Sequence, residues 1–66
     1  MQLTIYVNGL TFKSQKSNEM TAEEAKDIFY DQFEKMNKLE MNLDDGGFLI
    51  IGEQALQNAV LVFSES

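Results

Sequence analysis

Residues 2–14, QLTIYVNGLTFKS, contain the pattern that decides the fold. Leu3, Ile5 and Val7 alternate with Gln, Thr and Tyr, which predicts a strand with one buried face. Asn8-Gly9 then supplies the two positive-φ positions of a type I′ turn, the strongest short-range signal for a β-hairpin. A two-residue loop sets a register in which the apolar side chains of both strands meet on one face. The predicted pairs are Val7 with Leu10, Ile5 with Phe12, and Leu3 with Ser14.

A helix is predicted after the polar connector of residues 15–19. Thr21 and Glu24 have the spacing of a capping box, in which each side chain accepts a hydrogen bond from the backbone of the other residue. At about 100° per residue, the apolar side chains that follow share one arc, and the helix is predicted to run to about Lys38. A helix with this pattern lies on one face of a sheet. The arc contains Ala22, Ala25, Ile28, Phe29, Phe33 and Met36.

The opposite side of this helix carries a stripe of carboxylates. Its members are Glu23, Asp27, Asp31 and Glu34. The spacings Asp31/Lys35 and Glu34/Lys38 predict ion pairs that partly neutralise the stripe. Two interpretations stay open, a solvated helix surface and a recognition surface for a basic protein partner.

Residues 39–51 predict a second hairpin, with Asp45-Gly46 at the centre of another type I′ turn. This register pairs Leu43 with Phe48 and Met41 with Ile50. Leu49 and Ile51 then point to the other face, so the fourth strand is apolar on both sides and is expected to lie inside the sheet.

The stretch NLDDGG, residues 42–47, also offers oxygen ligands for a cation. Counted from Asn42, an EF-hand loop would have Gly47 at its sixth position and Glu53 at its twelfth, but Gly46 at the fifth position provides no side chain. A β-turn that leads directly into a strand also cannot wrap a 12-residue loop around an ion. We therefore predict a structural turn and no metal site.

The pattern as a whole predicts an α+β fold of order ββαβββ in a single domain, residues 1–66. One amphipathic helix packs on one face of a mostly antiparallel sheet of four to five strands. Residues 53–56 predict a single helical turn before the last strand, residues 59–63. The helix covers only one face, and a short chain without disulfides gains stability from association, so a homodimer is expected. The candidate association surface is Leu49, Ile51, Val60 and Val62, with Leu61 and Phe63 as the alternative pair in the last strand.

The charge balance restricts the class of partner. Eleven acidic residues against five lysines give a net charge of −6. Direct nucleic-acid binding and adhesion to anionic lipid are not expected, because both need clustered positive charge. A basic protein partner is compatible with this charge.

The residue types also restrict the chemistry. The chain has no His, Cys or Arg, so it lacks the commonest general base, a thiolate nucleophile and a guanidinium clamp. We expect no enzymatic activity of its own and no cofactor. No apolar run approaches the roughly 20 residues needed to span a bilayer, and no signal peptide is visible, so a cytoplasmic location is expected.

Two segments carry a resemblance to known proteins, YVNGLTF near the start and LEMNLDDGGFLIIGEQALQNAVLVF towards the end. In layout, acidity and order of elements, most of the chain resembles small proteins encoded by phages and prophages of Gram-positive bacteria. The resemblance implies an accessory role in the host cytoplasm during infection or lysogeny, exerted by binding a host or phage protein. It implies no particular functional residues.

Three functional hypotheses follow from the sequence, of which one, a subunit or accessory of a larger enzyme, can be distinguished only by identifying the partner. The first is a non-enzymatic interaction protein that dimerises through the sheet face left uncovered by the helix. The second is a nucleic-acid mimic, in which Glu23, Asp27, Asp31 and Glu34 imitate phosphates and occupy the groove of a DNA-binding protein.

Overall fold

The computed structural model describes residues 1–65, and its elements follow the predicted order. The strands and helices are β1 (Gln2–Val7), β2 (Leu10–Lys13), α1 (Ala22–Met36), β3 (Lys38–Asn42), β4 (Phe48–Gly52), α2 (Glu53–Leu56) and β5 (Val60–Ser64). The α+β class and the ββαβββ order are confirmed, with α2 as the predicted single helical turn. All strand pairs are antiparallel, and they form a three-stranded sheet of order β2-β1-β5 and a two-stranded sheet of β3 and β4. β4 therefore lies at a sheet edge, and the expectation that it lies inside the sheet is wrong.

The first hairpin has the predicted turn and register. Asn8 and Gly9 have φ angles of 51° and 78°, as a type I′ turn requires. Val7 pairs with Leu10 and Ile5 pairs with Phe12. β5 then lies along the other edge of β1, so β1 is the central strand of its sheet.

The turn of the second hairpin differs from the predicted one. Among its residues only Gly46 has a positive φ, 92°, whereas a type I′ turn would need one at Asp45 as well. The Leu43 N–H donates to the Gly47 carbonyl at 2.8 Å, and the Gly46 N–H donates to the Leu43 carbonyl at 3.1 Å. The loop therefore has three residues, in the geometry of a tight turn closed by a left-handed glycine.

The extra loop residue moves the register by one, so the predicted register is wrong. Met41 pairs with Leu49, and Leu39 pairs with Ile51. Directly paired residues share a face, which places Leu49 and Ile51 on the core side. The side chains on the opposite side of β4 are Phe48 and Ile50.

Helix α1 begins as predicted and ends earlier. The Thr21 hydroxyl accepts from the Glu24 N–H at 3.1 Å, and the Glu24 carboxylate accepts from the Thr21 N–H at 3.0 Å. The last helical residue is Met36, because Asn37 adopts the left-handed conformation with φ 55° and donates its N–H to the Phe33 carbonyl. The predicted end at Lys38 is therefore wrong, and Lys38 begins β3.

The buried face of α1 is narrower than the predicted arc. Ala25 is buried, and Phe29 and Phe33 pack against the core. Ile28 and Met36, which the arc included, are exposed. The helix contacts β3 in one sheet and β5 in the other, so it covers the inner faces of both sheets.

The core lies between α1 and the inner faces of the two sheets. Its buried members are Leu3, Ile5, Val7, Leu39, Met41 and Ile51. Three of them come from β1, which is flanked by strands on both edges. In residues 1–65 no helix is both long and apolar enough to cross a membrane.

The two sheets meet at Ser14. This residue forms an isolated antiparallel bridge with Leu43. The Gln15 N–H donates to the Asn42 carbonyl at 3.1 Å, and the Asp44 N–H donates to the Lys13 carbonyl at 3.0 Å. The segment after β2 therefore links the first hairpin to the second.

The register of β4 predicts different costs for two neighbouring isoleucines. Ile51 is 6% exposed and Ile50 is 59% exposed. We expect Ile51→Ala to lower the free energy of unfolding by about 2–5 kcal/mol, because it leaves a cavity in the core. Ile50→Ala should cost less than about 1 kcal/mol, because its side chain lies at the surface. Urea denaturation followed by circular dichroism measures both.

Ile51→Val provides a milder test, with an expected loss of about 0.5–1.5 kcal/mol. Equal losses for the matched substitutions at residues 50 and 51 would contradict the observed register.

Candidate functional site

The three-stranded sheet has an exposed outer face, turned away from the core. Strand pairing identifies its members because paired residues share a face. They are Gln2, Thr4, Tyr6, Thr11, Lys13, Val60, Val62 and Ser64. Tyr6 of the central strand and Val60 and Val62 of the edge strand β5 are exposed large side chains that adjoin one another on this face. None of its eight members is acidic, although the chain has eleven carboxylate side chains.

The predicted association residues divide between this outer face and the core. Val60 and Val62 are 60% and 43% exposed and lie on the outer face. Leu49 is half-buried against the core and Ile51 is buried within it. Their predicted place on an uncovered face is wrong, because it depended on the two-residue loop of the second hairpin.

The two-stranded sheet has an outer face of its own. Phe48 and Ile50 are exposed there, opposite Asn42 and Glu40 of the neighbouring strand. Lys38 forms an ion pair with Glu40 at 3.3 Å on this face. Unlike the outer face of the three-stranded sheet, it therefore places a carboxylate directly beside its apolar side chains.

The acidic stripe of α1, Glu23, Asp27, Asp31 and Glu34, is exposed along its length. Asp31 forms the predicted pair with Lys35 at 3.0 Å, and Asp27 lies 3.9 Å from the Lys26 ammonium. The predicted Glu34–Lys38 pair does not form, because Lys38 belongs to β3 and pairs with Glu40. Exposed ion pairs of this kind contribute about 0–1 kcal/mol each. Two of the four carboxylates are thus paired with lysines, and all four side chains are exposed to solvent.

A groove of about 510 Å³ lies between α1, α2 and the inner side of β5. Its lining is mainly apolar and aromatic. The lining residues are Lys26, Phe29, Tyr30, Phe33, Leu39, Leu56, Gln57, Leu61 and Phe63. We call this the α1–α2 groove. Its volume and lining fall within the range of pockets that bind small molecules or partner side chains.

Aromatic packing forms the floor of the α1–α2 groove. The rings of Phe29 and Phe63 lie with their centroids 5.9 Å apart and are inclined at 54°, a favourable arrangement for an aromatic pair. Leu56, in the single turn of α2, also lines the groove. The groove was not predicted from sequence, because it depends on how α1 docks against α2 and β5, which lie far from α1 in the chain. Its one local signal is the helical turn at residues 53–56.

The acidic loop between β3 and β4 has a structural role in the hairpin. The Asp45 carboxylate accepts a hydrogen bond from the Gly47 N–H at 2.8 Å, which fixes the chain where it enters β4. Within residues 1–65, no three side chains of the types His, Cys, Asp and Glu converge to hold a metal ion.

This hydrogen bond predicts how substitutions of Asp45 change the free energy of unfolding. Asp45→Ala should lower the free energy of unfolding by about 0.5–1.5 kcal/mol, because the Gly47 N–H loses its acceptor. Asp45→Asn keeps an oxygen at the same position and should cost less. Urea denaturation with and without millimolar calcium separates this role from ion binding. A calcium-dependent rise in the wild-type midpoint, absent in Asp45→Asn, would contradict it.

No family model, curated protein or solved structure matches the chain. Its function must therefore be inferred from its own surfaces, and the resemblance to phage and prophage proteins stays a prediction. Those surfaces are the outer face of the three-stranded sheet, the α1–α2 groove and the acidic stripe.

Proposed function

We propose that this protein is a non-enzymatic interaction protein that forms a homodimer through the outer face of its three-stranded sheet. One observation carries the proposal, the absence of carboxylates from a face that has an exposed apolar cluster on its β1–β5 side. The partner surface is the same face of a second copy, as in most two-fold symmetric dimers.

The charge distribution supports this choice of face. Each copy has a net charge of −6, so two copies repel one another unless their carboxylates stay apart. The outer face contains one charged residue, Lys13, and no acid. Contact through this face keeps the carboxylates of both copies in solvent, whereas contact through α1 would place two acidic stripes against each other.

The composition of the face also fits an interface. Tyr6, Val60 and Val62 form an apolar cluster on the β1–β5 side of the face, and Thr4 and Thr11 place hydroxyl groups beside it. Interfaces commonly combine an apolar, aromatic centre with a polar rim. A standard interface buries about 800 Å² per partner, which is roughly one sixth of the 4562 Å² of accessible surface on this chain.

The cellular role forms part of the same proposal. The sequence resemblance supports an accessory protein of a phage or prophage, acting in the host cytoplasm by binding another protein. A dimer suits that role, because it presents two copies of any partner site and raises the apparent affinity for a repeated target.

The dimer is tested by adding one carboxylate to the outer face. Wild-type protein should sediment as a dimer at micromolar concentrations, and Val62→Glu should sediment as a monomer because it places two buried carboxylates in the interface. Ile50→Glu is the matched control, since it adds the same charge to an exposed residue of the other sheet. The control variant should remain a dimer. Sedimentation equilibrium measures all three, and circular dichroism confirms that each variant is folded.

Salt provides a second readout. Raising the ionic strength screens the repulsion between two copies of charge −6, so the wild-type dimer should become tighter. A wild-type monomer throughout the micromolar range, or dissociation by Ile50→Glu with Val62→Glu still dimeric, would overturn the proposal.

A further inference from the structure

The rims of the α1–α2 groove are acidic. On one side, Tyr30 lines the groove and has Asp27 three residues before it and Glu34 four residues after it. Residues at these spacings are neighbours on a helix surface, so both carboxylates flank Tyr30. On the other side, Leu56 lines the groove and Glu53 lies one helical turn before it in α2. An apolar groove therefore has carboxylates along both edges.

Lys26 is the only cation among the lining residues. Its ammonium lies 3.9 Å from the Asp27 carboxylate, so its charge is directed towards the acidic rim. The hydrocarbon part of a lysine side chain packs well against apolar groups while its ammonium stays in solvent. Lys26 therefore offsets part of the charge of Asp27, but one cation against the three carboxylates of Asp27, Glu34 and Glu53 leaves the rims with a net negative charge.

We infer that the α1–α2 groove binds an amphipathic helix of a protein partner, with the apolar residues of that helix in the groove and its lysines or arginines against the acidic rims. The apolar lining selects large aliphatic or aromatic anchors, and the carboxylates on both edges select a basic flank. From Lys26 to Phe33 the wall formed by α1 extends about 10 Å, or two helical turns. This length accommodates anchors spaced i, i+3 or i+4, and i+7 on the partner.

This site is independent of the proposed dimer. β5 places Leu61 and Phe63 in the groove and Val60 and Val62 on the outer face, because successive residues of a strand point to opposite sides. Dimerisation through the outer face leaves the groove accessible in both copies. Failure of one proposal therefore leaves the other standing.

The inference is tested with two designed helical peptides that share one leucine face. One peptide carries lysines on its remaining positions and the other carries glutamates. Fluorescence anisotropy with the full chain, at about 0.15 M ionic strength, should show the lysine peptide binding at least about tenfold more tightly. Chemical-shift changes in ¹⁵N spectra should map to the groove. Equal binding of the two peptides, or tighter binding of the glutamate peptide, would overturn the inference.

Variants of the chain separate groove binding from general attraction to an acidic protein. Tyr30→Ala should weaken binding of the lysine peptide severalfold without unfolding the chain, because Tyr30 is 65% exposed. The double variant Asp27→Asn, Glu34→Gln should weaken it about tenfold. The matched control, Asp44→Asn with Asp45→Asn, removes the same charge from the tip of the β3–β4 hairpin and keeps the oxygen that Gly47 needs. Equal weakening by the rim and control variants would overturn the inference.

A fatty-acid carboxylate is the competing occupant, since its tail suits the apolar lining and its head suits Lys26. Dodecanoate titrated into the protein should leave the groove resonances unchanged at concentrations that saturate the lysine peptide. Displacement of the peptide by micromolar dodecanoate, with loss of dodecanoate binding in Lys26→Gln, would assign the groove to an anionic lipid and overturn the inference.

Discussion

The fold depends on the hydrogen bonds that Ser14 makes where β2 ends. In a regular antiparallel ladder, the pair Leu3–Ser14 would exchange two backbone hydrogen bonds, as every second pair does after a two-residue turn. The Ser14 N–H does donate to the Leu3 carbonyl at 2.8 Å. The Leu3 N–H, however, donates to the Ser14 hydroxyl at 2.9 Å, and the Ser14 carbonyl accepts from the Gln2 side chain. A side-chain oxygen thus replaces a backbone oxygen, and the chain turns away from β1 with both groups satisfied.

The change in chain direction at Ser14 brings the second hairpin beside the first. Leu43 bridges to Ser14, and the backbone groups on either side of this bridge pair with residues 13 and 15. A bridge of one residue pair does not join the two hairpins into one flat sheet. The two sheets instead enclose the core together with α1, which contacts both. Ser14 is buried, and its hydroxyl both accepts a hydrogen bond from the Leu3 N–H and donates one to the Gln15 carbonyl. An apolar residue of similar size would leave the Leu3 N–H without a partner.

The features predictable from sequence were those that a few neighbouring residues decide. Asn8-Gly9 specifies a two-residue turn because asparagine and glycine both tolerate positive φ, and Thr21 with Glu24 specifies a helix start through bonds three residues apart. DDGG was ambiguous, because its glycine can close either a two-residue or a three-residue loop. The usual check on strand register is that a shift of one residue moves the apolar side chains to the polar face. FLII is apolar on both faces, so both registers place apolar side chains opposite those of β3, and this check does not distinguish them. The α1–α2 groove had only one local signal, the helical turn at residues 53–56, because α1 meets α2 and β5 only in the folded chain.

β5 connects the two surfaces to which we assign function. An alternating strand normally has one apolar face and one polar face, but here both sets of side chains are apolar, Leu61 and Phe63 inward and Val60 and Val62 outward. Leu61 and Phe63 face α1, which carries the acidic stripe, so the rims of the α1–α2 groove are negative. Val60 and Val62 lie on the face without carboxylates, so this face suits contact with a second copy that has the same net charge. One strand thus gives the protein two apolar surfaces that differ in electrostatics, and that difference is why we propose a self-interface on one and a site for a basic partner on the other.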